Sequence, residues 1–139
     1  MSALGHWESR WPDFKPEEVL NPSGLELFNS RGECLINENA MDYLQKFRRH
    51  VRYALKCNYA SMRHRGFRNE VENKGVDGKP FSFHMLGLAF DLTASEVDNE
   101  VLWRDAINFG WHGVGLYRSW VHVDLRPLMG MPMRRWKNV

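Results

Sequence analysis

The stretch GWHGVGLYRSWVHVDLR, residues 110–126, decides the fold of this 139-residue chain. Its valines, leucines and aromatic residues favour β-strands, and Gly113, Gly115 and Ser119 interrupt them, which is typical of short strands joined by turns. Upstream, residues 81–92 indicate another pair of short extended segments, bent at a central glycine. The C-terminal half of the chain therefore predicts a small antiparallel sheet.

Apolar residues at helical spacing predict two helices. The more regular one covers about residues 39–56. The other follows the capping-box pattern Ser95-x-x-Asp98 and ends before Gly110. Because strands and helices do not alternate as regular βαβ units, the sequence indicates an α+β fold with the helices packed on one side of the sheet.

The composition is that of one globular domain, since 43% of the residues are apolar and 26% are charged. No repeat or linker divides the sequence, so we expect a single domain over residues 1–139. Within it, residues 1–38 are expected to form an irregular lead-in that wraps the core, with a short helical turn at PEEVL. Residues 128–139 are expected to form a packed tail.

Charge and cysteine content exclude several classes of function. The net charge is only +2, which is too weak to make nucleic acid or an anionic membrane the natural partner. Cys34 and Cys57 have no metal-type spacing and cannot form a disulfide framework. No apolar stretch is long enough to cross a membrane, and residues 1–11 do not resemble a signal peptide. We therefore expect synthesis in the cytoplasm without a signal peptide, and no membrane insertion.

Three residues have the chemistry of a zinc site. His84 and Asp91 begin and end the segment HMLGLAFD, and His122 follows on a later predicted strand. Imidazole nitrogens and carboxylate oxygens are good zinc ligands, and a catalytic zinc takes three protein ligands with a fourth position open to water. A single histidine in an apolar segment is more often a hydrogen-bonded core residue, but the H-x-x-G-x-A-x-D pattern arises by chance in roughly one sequence in a thousand. A buried carboxylate also costs several kcal/mol unless it is paired or bound to a metal.

These residues lie within longer motifs that resemble the M15 zinc peptidases. GFR at 66–68, VDGKP at 76–80 and SFHMLGLAFD at 82–91 are similar to the family pattern G-Y-R…V-G-G-x-P-x-S-x-H-x-x-G-x-A-x-D. Residues 110–127 are similar to the ending G-F-x-G-I-G-x-Y…F-V-H-x-D-x-R of one branch. The family includes D-Ala-D-Ala carboxypeptidases and the L-Ala-D-Glu endopeptidases of phage lysins.

The resemblance implies a hedgehog/DD-peptidase-like fold with the zinc site on the sheet. One zinc ion (Zn2+) per chain would be held by His84, Asp91 and His122. Arg68 would take part in catalysis by binding a substrate carboxylate, for which its planar fork is suited, and Ser82 would lie beside the metal strand. Two local alternatives stay open, since Arg68 could pair with a nearby glutamate and Ser82 could cap its own turn. The implied substrate is a stem peptide of peptidoglycan.

The general base is where the sequence departs from the family pattern. Members of the family place Glu, Asp or His two or three residues before the last ligand, where this chain has Ser119 and Trp120. The nearest candidate for a catalytic base is Asp124, on the same strand face as the last ligand by the period-two rule. Asp124 could equally orient a ligand imidazole or pair with an arginine. His112, as an acid or base, and Tyr117, as a donor to the oxyanion, are further candidates for contacting the substrate.

Two functions of different classes follow from these observations. The first is a zinc-dependent peptidoglycan peptidase, either a carboxypeptidase or an endopeptidase, that acts as a phage or prophage endolysin or in wall remodelling. Such an enzyme would be a monomer that acts on the cell wall after release, or would be carried on a virion. The alternative is a non-catalytic zinc-containing module that binds the cell wall or another protein, which the missing base favours.

Overall fold

The computed structural model describes residues 2–20, 22–34, 36–57 and 88–139. It confirms the predicted α+β class, with helices and a small four-stranded sheet. In chain order the described elements are α1 (Ala3–Arg10), α2 (Pro16–Val19), α3 (Pro22–Arg31), α4 (Glu38–Val51), β1 (Ala89–Leu92), α5 (Asn99–Phe109), β2 (Gly113–Tyr117), β3 (Val121–Asp124), a 3₁₀ helix (Arg126–Met129) and β4 (Arg134–Asn138).

The lead-in, residues 1–38, is largely helical rather than irregular. α1 begins at Ser2, whose hydroxyl accepts a hydrogen bond from a backbone N–H of the first turn at 3.0 Å. Trp7 of α1 is buried and packs edge-to-face on Trp11, with 4.8 Å between ring centroids. Phe28 of α3 also packs against the indole of Trp7, with 5.5 Å between ring centroids. The turn expected at PEEVL is α2, and the rest of the lead-in packs large aromatic side chains into the core from short helices rather than from irregular segments.

The helix predicted over residues 39–56 is α4, which ends at Val51. Its start is fixed by Asn37, whose side chain accepts a backbone hydrogen bond at 3.0 Å. Arg52 adopts the left-handed conformation, with φ 61°, and this ends the helix. Tyr53 and Leu55 then turn into the core, so apolar residues continue beyond the end of the helix itself.

The sheet is mixed rather than purely antiparallel. Its strand order is β1-β3-β2-β4, with β3 antiparallel to both β1 and β2. β4 pairs parallel to β2, so the segment expected to be a packed tail supplies an edge strand. One face of the sheet carries buried apolar side chains, including those of Phe90, Val114 and Val123. α5 packs against this face of the sheet. The indole N–H of Trp103, a residue of α5, donates to the carbonyl oxygen of Val114 at 3.3 Å.

α5 ends where the sequence predicts. Gly110 follows it with φ 116°, a conformation that residues with a side chain rarely adopt, and a Cβ there would approach the Tyr43 hydroxyl to 2.9 Å. The start lies at Asn99 with Asp98 as N-cap. Within the described ranges, no helix has the length and apolar character needed to cross a membrane.

Replacing Asp42 should lower the stability of the fold in a pH-dependent way. Asp42 on α4 accepts two hydrogen bonds from Arg10 on α1, at 2.8 Å each, and one from Trp11 at 2.9 Å. The hydrogen bonds from Arg10 hold the pKa of Asp42 below its ordinary value. This stabilisation is complete above the ordinary carboxyl pKa and is lost as the pH falls through the lowered one. Asp42→Asn should therefore reduce the free energy of unfolding at neutral pH, and the difference from the wild type should shrink on acidification.

Urea unfolding at several pH values measures this effect. Glu8→Gln is the matched control, because Glu8 is an exposed carboxyl on α1 with no ion pair among the described residues. An Asp42→Asn deficit that is independent of pH would contradict the assignment.

Candidate metal centre

Pairing across the sheet places Asp91, His122, Gly115 and Trp136 in one transverse row. Asp91 of β1 lies opposite His122 of β3, His122 lies opposite Gly115 of β2, and Gly115 lies opposite Trp136 of β4. Directly paired residues share a face, and side chains alternate between faces along each strand. The row therefore lies on the face turned away from the buried apolar side chains of Phe90 and its neighbours.

Asp91 and His122, both predicted metal ligands, come together on this face. The Oδ1 atom of Asp91 lies 3.4 Å from the Nδ1 atom of His122, and the two side chains are 6% and 13% exposed. This separation exceeds the usual range of an N–H···O hydrogen bond. Two ligand atoms that are each about 2.0–2.1 Å from one tetrahedral zinc lie about 3.3–3.4 Å apart. The donor atoms and their separation therefore fit a zinc ion bound between them.

The other imidazole nitrogen of His122 contacts Asp124. Its Nε2 atom lies 2.6 Å from Oδ2 of Asp124, a residue with no exposed surface. An ionised carboxylate can only accept hydrogen bonds, so the proton of a neutral imidazole sits on Nε2 and the lone pair on Nδ1. A carboxylate in this position fixes both the tautomer and the ring orientation of a metal-ligating histidine.

Arg126 donates the other three hydrogen bonds that the Asp124 carboxylate accepts. Oδ1 of Asp124 accepts from the backbone N–H of Arg126 at 3.1 Å and from its Nε at 3.0 Å, and Oδ2 also accepts from Nη2 at 2.9 Å. Together with His122, four donors reach the two oxygens, and an ionised carboxylate has about four lone-pair sites. Asp124 therefore has no lone pair left over with which to accept a proton from water.

The pKa values of this pair follow from the same contacts. Burial alone would lower the pKa of His122, but the hydrogen bond to Asp124 and the negative charges of Asp91 and Asp124 outweigh it and raise the pKa to about 9. Burial alone would raise the pKa of Asp124, but His122 and Arg126 outweigh it and lower the pKa to about 2. Asp124 is thus ionised at neutral pH and a weak base. Two carboxylates facing one imidazole also favour a bound cation.

A comparison with known proteins identifies the family. A model of the family described as Peptidase M15 matches residues 17–124, which is more than half of the chain. The chain belongs to the M15 peptidase family. Peptidases of this family are generally zinc-dependent. No curated protein matches the chain at a significant level.

Gly113 of this M15 peptidase makes room for the buried carboxylate. Gly113 lies opposite Asp124 in the sheet, and a Cβ atom built on it would overlap both carboxylate oxygens of Asp124. Gly115 has the same relation to Trp136, because a Cβ there would overlap the indole ring. Both glycines are needed for close approach of a neighbouring side chain rather than for an unusual backbone angle.

Trp136 is a residue of the site that the sequence did not reveal. Its ring centroid lies 5.4 Å from that of His122, and its indole N–H donates to the hydroxyl of Tyr117 at 3.1 Å. Tyr117 in turn stacks on Trp120, with 5.2 Å between ring centroids. From the sequence, Trp136 reads as a packing residue of the tail, and its pairing with Gly115 has no local signal.

Three of the predicted site residues are not placed by the structure. His84, Ser82 and Arg68 lie outside the described residues, so their placement stays a prediction. Among the described residues there is no cluster of three or more side chains suited to hold a metal, which leaves Asp91 and His122 as a pair.

His112 contributes backbone contacts to the site. Its backbone N–H donates to the carbonyl oxygen of Asp124 at 3.1 Å, and its carbonyl oxygen accepts from the backbone N–H of Arg134 at 2.8 Å. Its Nδ1 is buried with no hydrogen-bond partner among the described residues. Trp111, next to His112, is fully buried in the core, with its ring centroid 4.7 Å from that of Tyr43.

Gly113→Ala should weaken zinc binding. The added methyl group would occupy the position of the Asp124 carboxylate and displace it from His122. Loss of such an orienting carboxylate typically lowers metal affinity by about 10–100-fold. Competition with a chromophoric chelator measures the affinity, and far-UV circular dichroism reports whether the variant is folded.

Gly130→Asn is the control for this variant. Gly130 has φ 72°, which asparagine tolerates, and a Cβ there meets no atom of the described residues within 4 Å. A folded Gly113→Ala protein that binds zinc as tightly as the control would contradict the role given to Asp124.

Proposed function

We propose that this M15 family member is a zinc-dependent peptidase that hydrolyses an amide bond in peptidoglycan stem peptides, of the endolysin or wall-remodelling type. The observation that carries the proposal is the 3.4 Å approach of Asp91 Oδ1 to His122 Nδ1, with the second imidazole nitrogen held by a buried carboxylate. A core histidine would need only one such carboxylate. His122 instead has a carboxylate beside each ring nitrogen, and the carboxylate of Asp91 lies beyond ordinary hydrogen-bond distance. This arrangement suits a histidine that binds a metal.

The ligand set of this proposal is His84, Asp91 and His122, with one zinc per chain. Asp91 and His122 are supported by their contact, and His84 by its place in the family motif. When bound, zinc polarises the scissile carbonyl and lowers the pKa of its water. The protein's own part is to present the lone pair of His122 Nδ1 and the carboxylate of Asp91 on one face of the sheet.

Asp124 is assigned a positioning role in this reaction rather than the role of general base. Four donors already occupy its oxygens, and it has no exposed surface. Its contribution is to keep the proton of His122 on Nε2 and the ring in place. Arg126 serves the same end by holding Asp124.

The substrate assignment follows the family and the chemistry of the wall. Stem peptides carry several carboxylates, and Arg68 is the residue of the family motif suited to bind one of them. Tyr117, fixed by Trp136, is the described hydroxyl on the site face that can contact the scissile amide. We propose action on the cell wall as a monomer, after release or from a virion.

A non-catalytic zinc-containing binding module is the second candidate function. The specific observation in its favour is that Ser119 and Trp120 replace the family's acid or histidine, while Asp124 is fully engaged. Both functions require the metal, and only the first requires turnover.

Removing either described ligand should remove zinc and activity together. Asp91→Ala and His122→Ala should each lower bound zinc from about one per chain to near zero, because a catalytic site has three protein ligands and none to spare. Zinc is measured by elemental analysis, and activity by the release of new amino groups from purified peptidoglycan with and without a chelator. Mass spectrometry of the products identifies the bond that is cleaved.

Asp98→Ala is the matched control, because Asp98 is an exposed carboxyl whose side chain makes no cap hydrogen bond. A zinc-loaded wild type that releases no amino groups would overturn the peptidase and leave the binding module. Full zinc content in both ligand variants would overturn the metal site.

Asp124→Asn separates the positioning role from the role of general base. If Asp124 positions His122, the variant should bind zinc about 10–100-fold more weakly, and saturating zinc should restore most of the turnover. If Asp124 is the base, turnover should stay low at saturating zinc. Turnover as a function of zinc concentration distinguishes the two, with thermal unfolding as the check that the variant is folded.

A further inference from the structure

Arg134 lies on the same face of the sheet as the candidate metal centre. In the register of β4, Arg134 is opposite Gly113, which is itself opposite Asp124. Neighbouring strands are about 4.8 Å apart, so the backbone of Arg134 is about 10 Å from that of Asp124. Alternation along β4 turns Arg134 and Trp136 to the face of His122, and Arg135 to the other face.

The contacts of Lys137 confirm this alternation along β4. Lys137, which shares a face with Arg135, reaches α5 on the core side of the sheet. Its Nζ atom lies 3.5 Å from Oε1 of Glu100 and 4.9 Å from the ring centroid of Trp103. Arg134 and Arg135 are therefore neighbours of equal charge on opposite faces of one strand.

Trp136 supports the guanidinium of Arg134. The Cζ atom of Arg134 lies 5.2 Å from the indole centroid, within the range of a cation–π contact. The indole itself is fixed, since it lies against Gly115 and donates to Tyr117. An arginine stacked on an immobile ring loses less conformational freedom when it binds a ligand.

The hydrogen-bond donors of Arg134 are not used by a carboxylate of the described chain. Arg126, whose Cζ lies 5.1 Å from the same indole, donates to Asp124 from Nε and Nη2. By contrast, no ion pair or side-chain hydrogen bond joins Arg134 to any described residue, and its side chain is exposed. Trp136 therefore separates an arginine that holds Asp124 from one whose planar fork has no carboxylate partner in the described part of the chain.

We propose that Arg134 binds a free carboxylate of the peptide substrate beside the metal centre, and so determines specificity for acidic stem peptides. The proposal rests on the proposed function. It adds an anchor from β4, which lies beyond the segment matched by the family model. The planar guanidinium matches a carboxylate with two parallel hydrogen bonds.

Four proteins test this role: the wild type, Arg134→Gln, Arg134→Lys and Arg135→Gln, all zinc-loaded. Arg135→Gln is the matched control, because it removes the same charge from the opposite face of the same strand. The probe is a synthetic L-Ala-γ-D-Glu-L-Lys-D-Ala tetrapeptide in three forms: both carboxylates free, the D-Glu carboxylate amidated, or the terminal carboxylate amidated. Calorimetry measures binding, and amine release measures kcat and KM.

Arg134→Gln should weaken binding and raise KM of the free peptide by about tenfold, with kcat little changed, as expected for one charge-assisted contact. One of the two amidated peptides should bind the wild type and Arg134→Gln equally. Arg134→Lys should recover part of the affinity, and Arg135→Gln should match the wild type.

Two results overturn the inference: equal binding of every peptide by Arg134→Gln and Arg135→Gln, or no binding of the free peptide by the wild type. Failure of the proposed function is a separate result. A wild type that binds the free peptide through Arg134 without releasing amino groups would support the carboxylate site and refute the peptidase.

Discussion

The site depends on one buried carboxylate, that of Asp124. A carboxylate removed from water costs several kcal/mol unless its lone pairs are occupied, and Asp124 has no exposed surface. His122 and Arg126 provide its partners from within two residues along the chain. The imidazole cannot turn without breaking the 2.6 Å contact, so its Nδ1 atom is held toward Asp91. The network that makes the buried charge tolerable therefore also positions His122 in the candidate metal centre.

β2 shows what this arrangement requires from a neighbouring strand. Gly113 and Gly115 leave the site face of β2 without side chains as far as Tyr117, and each interior glycine weakens a strand by roughly 0.5–1 kcal/mol. The opposite face compensates, because Val114 and Leu116 are buried in the core and β2 pairs on both sides. The result is a strip of bare backbone between His122 and β4. Trp136 lies on this strip, which brings the edge strand into contact with His122.

Local patterns in the sequence predicted part of this site and could not predict the rest. Alternation along β3 is enough to place His122 and Asp124 on one face, and the structure confirms it. The choice between base and orienting partner for Asp124 depends on the side-chain conformation of Arg126, which no pattern reports. β4 has the sequence RRWKN, with exposed charges on both faces and no apolar alternation. Its strand character comes from pairing with β2, far upstream, so it reads as a polar tail. Of the lead-in helices, the turn predicted at PEEVL is α2, whereas α1 and α3 were missed. Pro22 suggests irregular structure, but it lies in the first turn of α3, where proline is tolerated.

Trp120 is the residue on which the choice between an enzyme and a binding module turns. It stands two positions before His122, where other M15 peptidases have an acid or a histidine, and the alternation of β3 extended by one residue points it to the same face. Its ring stacks on Tyr117 at 5.2 Å, and Tyr117 is held by Trp136. An indole cannot accept a proton from water, and a nearby aromatic surface would raise the pKa of any carboxyl placed against it. A base for the proposed peptidase must therefore come from elsewhere in the chain, and Trp120 and Tyr117 form an aromatic wall beside the candidate metal centre.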